Sequence, residues 1–187
     1  MAKVAMENKT LVYPMPAFII GANVDGKPNF MTAAWSGIAG SVPPMITVAL
    51  QHHRHTLKGM KQNMTFTVNV PSVSQVKETD YCGVVSGSKI DKVAACNFKV
   101  FYGKLESAPM IDQCPINLEC KVMHILDLGS HELIIGRIDE TFVSEECLTE
   151  GRPDVNKIKP IIYAGRRYMS FGEVIGGAFT VKEMGGK

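Results

Sequence analysis

The sequence has a single tryptophan, five cysteines with no CxxC among them, and no block of like charge. The odd thiol count (Cys82, Cys96, Cys114, Cys120 and Cys147) and the lack of paired spacing speak against a zinc ribbon or a thioredoxin-type redox pair. Buried, reduced thiols follow from that usage, with a reactive Cys82 just after a helix as the open alternative. A net charge of +2, with Arg166-Arg167 as the longest basic cluster, argues against nucleic acid and against a membrane surface. No segment approaches the length of a membrane span. Lys3, Glu7 and Lys9 interrupt the N-terminus, and Pro14 and Pro16 break the apolar run from Leu11 to Ala22. A signal peptide is therefore not indicated, and the expected location is the cytoplasm. No GxGxxG follows a strand and no GxxxxGK[ST] occurs, so no nucleotide-binding fingerprint is present, and the lack of a nucleophile elbow and of HExxH argues against hydrolases.

What is present is ordinary in bulk and specific in pattern. Hydrophobic residues make up 45% and charged residues 20%, so a chain of 187 residues is expected to form one soluble domain over 1–187. Strand patterns dominate. Ile46–Leu50 and Phe66–Val70 alternate and are rich in β-branched residues, with Pro43-Pro44 before the first and Pro71 after the second. Phe98–Leu105 is a further candidate strand. The clearest hairpin pairs the run Ile116–Val122 with the run His131–Ile138 across a loop containing Gly129. In the first run Ile116, Leu118, Cys120 and Val122 alternate with Asn117, Glu119 and Lys121. Helices are short and few. Thr56 is placed to cap one carrying Leu57, Met60 and Lys61, Ser72 with Gln75 forms a capping-box pattern, and a third helix is expected from Ser88 to Val93 with Asp91 in its first turn. Short strands with short helices and no long βα alternation imply a mainly β, antiparallel barrel.

Two segments suggest chemistry. Asn29–Ser36 sets small residues beside one large aromatic. Ala33 and Ala34 let backbone N–H groups approach a ligand edge, Thr32 can donate from its side chain, and Trp35 or Met31 can cover a ring face. An ordinary barrel strand with a core tryptophan is the alternative. His52-His53-Arg54-His55-Thr56 puts a guanidinium and a hydroxyl where a helix begins, and free N–H groups at such an end bind anions. A solvated turn is the alternative there, and a metal held by the three histidines would lack the remaining ligands. Lys89 and Lys92 are either a solvated helix face or cations reaching a phosphate or an electron-rich ring edge. His131 sits where a barrel rim is expected and could contact a ring or supply a proton. A flat ring with a phosphate at its far end describes FMN.

Taken in order, several pieces resemble the flavin reductase-like family of FMN-binding split barrels, and within it the flavoredoxin branch. These pieces are Asn29–Ser36, Ser41–Pro44, Arg54-x-Thr56, Phe66–Pro71, Ser86–Lys92, Gly129-Ser130-His131 and Pro160 to Tyr168. The resemblance implies a split β-barrel with Greek-key-like strand order, a homodimer, and FMN near the dimer interface. It implies that Asn29, Met31, Thr32, Ala33, Ala34 and Trp35 line the ring, that Arg54 and Thr56 meet the phosphate, and that Lys92 with His131 completes the pocket. Tyr168 would approach from the tail. Many members carry Gly-Asp-His where this chain has Gly129-Ser130-His131, which leaves His131 without an orienting carboxylate and its catalytic acid–base role in doubt.

The implied activity is electron transfer through FMN between a reduced donor and an acceptor, with NAD(P)H or an electron-transfer protein as partners. Lys92 would then stabilise the anionic reduced flavin and raise its potential. Two rivals are an NAD(P)H:flavin oxidoreductase that releases reduced flavin, and a noncatalytic ligand-binding dimeric barrel.

Overall fold

The computed structural model describes residues 1–180. Seven strands form one antiparallel sheet: β1 (Phe18–Val24), β2 (Lys27–Ala33), β3 (Ser36–Ser41), β4 (Pro44–Gln51), β5 (Thr65–Val70), β6 (Ile116–Asp127) and β7 (His131–Val143). Their order across the sheet is β2-β1-β5-β6-β7-β4-β3. The consecutive strands β2 and β3 thus lie at opposite edges, joined by Ala34 and Trp35 alone. So short a link spans at most about 10 Å, so the sheet must curl until its two edges approach. No ladder joins those edges, and the barrel is split there. The β6–β7 hairpin fills the space between β4 and β5, which is the Greek-key-like crossing expected.

Alternation along the strands sorts side chains into two cores. Ile20, Met31, Ala33, Val48, Phe66 and Ile134 fill the barrel, while the neighbouring Ile19 and Phe30 face outward into a second cluster with Cys82, Phe98 and Ile111. Helix α1 (His55–Asn63) links β4 to β5 and inserts Leu57 and Met60 into the barrel core. Helix α2 (Val76–Val84) follows a 3₁₀ turn in which Ser72 and Gln75 form the expected capping box, and it lies against β2.

The Ile46–Leu50 and Phe66–Val70 strands form as expected, as does the hairpin, which runs on to Asp127 and Val143. Three expectations need correction. Thr56 does not cap α1. Arg54 occupies the N-cap position without a side-chain bond, and Thr56 is buried in the first turn. The third helix, α3, spans Lys92–Ala95, because the Asp91 carboxylate caps it by accepting from Val93 and Ala94 N–H at 2.9 and 3.1 Å. Of Phe98–Leu105 only Val100–Phe101 is a strand. The Lys104 and Leu105 N–H groups donate to the buried Glu119 carboxylate at 3.1 and 2.9 Å, which draws that segment away from any ladder.

Candidate functional site

Two joined hollows open where the barrel is split. The larger, a cleft of about 520 Å³, is walled by Met31 to Trp35 at the end of β2 and by Gln51 and His131 at the rim. The smaller, a recess of about 140 Å³, is lined by Asn29, His53, Arg54, Thr56, Gly87 and Lys92, among others. Met31, Arg54 and Val84 line both. The larger volume lies within the range of small-ligand sites.

Trp35 is no core tryptophan. It is 42% exposed at the β2–β3 junction, its carbonyl accepts from Ala49 N–H at 2.8 Å, and its ring stacks on His131 with centroids 4.7 Å apart and planes 26° from parallel. The two rings make one flat wall. The serine that stands in place of the expected aspartate supplies an orienting partner, since Ser130 Oγ lies 2.8 Å from His131 Nδ1. Thr32 lines the cleft, but its hydroxyl donates to the Thr79 carbonyl of α2. A hydroxyl has one hydrogen, so the expected side-chain donation to a ligand is lost and only backbone remains for that purpose.

The recess is built on the start of α1, whose first N–H groups no side chain caps. Asn29 Nδ2 donates to Thr56 Oγ1 at 2.6 Å, which leaves the Thr56 hydroxyl hydrogen free to point into the recess. Asn29 therefore belongs to the recess and not to the ring wall where the resemblance put it. A Cβ at residue 87 would stand 1.7 Å from Asn29 Oδ1, so any larger residue there would displace the Asn29 amide from Thr56. Arg54 Nη1 donates to the Gly83 carbonyl at 3.1 Å, which ties the end of α2 to the start of α1.

Lys92 also lines the recess and not the cleft. Only 4% exposed, its Nζ donates to the carbonyls of Phe30 and Cys82, each at 2.8 Å. Burial pushes its pKa down, and the nearby Arg54 charge adds to that. Two of its three N–H groups are occupied, so one remains for a ligand. Lys89 and Lys27 line an adjoining groove of about 590 Å³, which shares Asn29, His55, Gly87 and Lys92 with the recess. Cys82 is fully buried and burial pushes its thiol up to about 12, so it is no thiolate nucleophile at neutral pH.

The far side of the cleft comes from a hairpin of Ile162–Ala164 and Arg167–Met169, which also pairs with Met15–Pro16. Its two turn residues, Gly165 and Arg166, both have positive φ, as a type I′ hairpin turn requires. Tyr168 Oη donates to Asp80 Oδ1 at 3.1 Å, and burial, then the Asp80 charge, pushes the phenol up to about 12. Tyr163 packs beside it with ring centroids 5.6 Å apart. Asp80, Tyr163 and Arg166 also line the cleft; Asp80 carries no local motif, and Tyr163 and Arg166 share the Pro160 to Tyr168 piece with Tyr168. Ser86 and Gly87, by contrast, sit in a small-residue loop after a helix, a signal that was visible.

The chain matches the flavin reductase like domain over residues 10–172. It is similar to a flavoredoxin from Methanosarcina acetivorans, with 38% identity and a TM-score of 0.92, over 96% of this chain and 97% of that one. A flavoredoxin of Desulfovibrio vulgaris (Miyazaki F) gives 35% identity and a TM-score of 0.91, over 97% of this chain and all, 100%, of that one. An uncharacterized protein of Archaeoglobus fulgidus is 32% identical over 145 residues, 78% of this chain and 81% of that protein. The split antiparallel barrel and the match across most of its length agree: this chain belongs to the flavin reductase-like domain family.

Proposed function

We propose that this protein is an FMN flavoprotein that carries electrons between a reduced donor and an acceptor. One observation supports this most: a flat-walled cleft opens into a small cationic recess at the start of a helix, so a planar ring and a phosphate fit end to end. The flavoredoxins of two organisms, at 38% and 35% identity, are its similar structures. Bound FMN would supply the redox chemistry, and the chain supplies position and electrostatics. Trp35 and His131 would support the ring beside Ala33 and Ala34, while Arg54, Thr56 and Lys92 would take the phosphate. Arg166 and Tyr168 would border the open side, where a donor or acceptor approaches.

The place of Lys92 alters its expected role. A cation against the phosphate recess acts on binding more than on the ring, so Lys92→Met is expected to weaken FMN by about tenfold. The midpoint potential of the bound flavin is expected to stay within about 15 mV of wild type, about a threefold effect for a two-electron couple. A larger drop in potential, with affinity kept, would return Lys92 to the ring edge.

We also assign the protein to the reducing cytoplasm, where its five cysteines stay free thiols. We further assign it a homodimeric state, through the outer strand β3 and the turn that follows it, where Ile38 and Val42 are 71% and 95% exposed.

Gel filtration of the protein after incubation with FMN tests the flavin and homodimer assignments together. The expected result is a yellow peak at the dimer position with quenched fluorescence from the single tryptophan, Trp35. Easy loss of flavin with rapid NADH or NADPH oxidation would favour a reductase that releases its product. A colourless peak would sink both flavin readings, and an unquenched yellow one would move Trp35 away from the ring.

A further inference from the structure

His52 directly follows β4, whose last residue, Gln51, pairs with His131 across the ladder. Its ring spans the gap to the β6–β7 turn. Nδ1 lies 3.0 Å from Glu132 Oε1, and Nε2 lies 2.8 Å from the Gly129 carbonyl oxygen. Asp127 Oδ1 stands 3.5 Å from the same Nε2. Both partners are acceptors. A carbonyl oxygen never donates, and the Glu132 oxygen that faces His52 also accepts from Lys61 Nζ of α1, which marks it as carboxylate. A neutral imidazole has one N–H and one lone pair, so it would set a lone pair against one of these two oxygens.

We propose that His52 is a positioning residue, held as the doubly protonated imidazolium, that clamps the β6–β7 turn and thereby fixes His131 and Trp35 as one wall of the flavin cleft. The assignment rests on the flavin reading of that cleft. The path from clamp to wall is short. Gly129 N–H donates to Asp127 Oδ1 at 2.8 Å, Leu128 N–H donates to the His131 carbonyl at 2.8 Å, and Ser130 Oγ holds His131 Nδ1 at 2.8 Å. These bonds tie the turn to His131, whose ring stacks on Trp35. Glu132 itself is 6% exposed and sits in the ladder opposite Leu50, so the clamp is anchored in the barrel.

The charged groups facing His52 are Glu132 and Asp127 from the hairpin and Lys61 from α1. The Gly129 carbonyl first, and Glu132 next, raise the His52 pKa above 6.5. Lys61 first, after it His52, holds Glu132 below 4.5. The sign follows. A raised histidine pKa gives a contact complete at and below 6.5, lost as pH rises through the folded value, while a depressed Glu132 loses it only as pH falls below 4.5. The wall is set between those limits and loosens on the alkaline side.

Riboflavin is the probe, because it lacks the phosphate and so leaves out the recess that His53 and His55 line. In the wild-type protein, nitrogen NMR is expected to show both His52 ring nitrogens protonated near neutral pH. Riboflavin affinity is expected to fall roughly three- to tenfold as pH rises from about 6 to about 9. His52→Gln should bind at the weak level throughout and lose that pH step. His52→Arg, a permanent cation with several N–H donors, should restore affinity and hold it on the alkaline side. The rest of the cleft is the same in all three proteins, so the differences report His52. A His52 ring nitrogen without a proton near neutral pH, or a wild-type pH step in His52→Gln, would overturn the proposal while leaving FMN binding intact. If the wild type binds neither riboflavin nor FMN, the flavin reading fails. The ring-nitrogen spectrum and the Gly129 and Ser130 amide shifts in His52→Gln then still decide the clamp.

Discussion

Replacing Arg54 and Thr56 together by alanine should weaken FMN by about 100-fold or more and riboflavin by less than about fivefold. Each charge-assisted or hydroxyl bond to a phosphate is worth roughly 1.5–3 kcal/mol, and every 1.4 kcal/mol or so is a factor of ten. Arg54 borders both hollows and holds the Gly83 carbonyl, which is why some riboflavin loss is expected. Thr56→Val separates the two contributions. It keeps the packing of a side chain only 1% exposed, but it removes both the free hydroxyl hydrogen and the acceptor that orients Asn29. Its effect should fall on FMN alone. Equal losses for FMN and riboflavin, measured by fluorescence titration, would place the phosphate outside the recess.

The second large effect is expected far from any ligand. Gly59→Ala should lower the melting temperature of the ligand-free protein by about 6–12 °C, a destabilisation of about 3 kcal/mol. Alanine in the middle of a helix ordinarily stabilises by about 1 kcal/mol, so helix propensity alone predicts the opposite sign. Packing decides the contest. A Cβ on Gly59 would stand 2.2 Å from the Asn23 carbonyl oxygen and 2.9 Å from Val24 Cγ2. That oxygen belongs to strand β1 and accepts from Asn63 Nδ2 at 2.7 Å, so it cannot retreat without breaking the contact between α1 and the barrel. Because α1 also forms the floor of the recess, FMN affinity should fall with stability. A raised or unchanged melting temperature in scanning calorimetry would show that α1 does not lie this close to β1.

Legibility followed the range of the interaction. The β6–β7 hairpin and the Ser72–Gln75 capping box depend on residues a few positions apart, and both formed as their patterns implied. Thr56 shows the limit. Its hydroxyl looked like a cap because the helix start lies beside it, yet Asn29, a residue 27 positions away, claims it. The Ser130 substitution misled in the other direction: losing a carboxylate suggested an unoriented His131, whereas the serine hydroxyl itself reaches the ring. Asp80 had no signal, and Tyr163 and Arg166 lie inside the Pro160 to Tyr168 piece, where the pattern pointed to Tyr168 alone.

By itself the sequence determined the alternating strands, the turn positions, and the two segments that wall the cleft and open the recess. These follow from periods of two, from proline and glycine, and from the chemistry of single side chains, all of which act locally. Only the tertiary structure decided which faces are covered. Asn117 and Glu119 alternate with apolar residues on β6 as though they faced water, yet they are 4% and 0% exposed. The Asn117 amide donates to Asn69 and to the Ile111 carbonyl, while Glu119 gathers the N–H groups of residues 104 and 105. The loops that cover them need hydrogen-bond partners that no local pattern specifies. The split barrel has the same origin: two residues, Ala34 and Trp35, must bridge the opposite edges of a seven-stranded sheet, and that constraint appears only once the strand order is known.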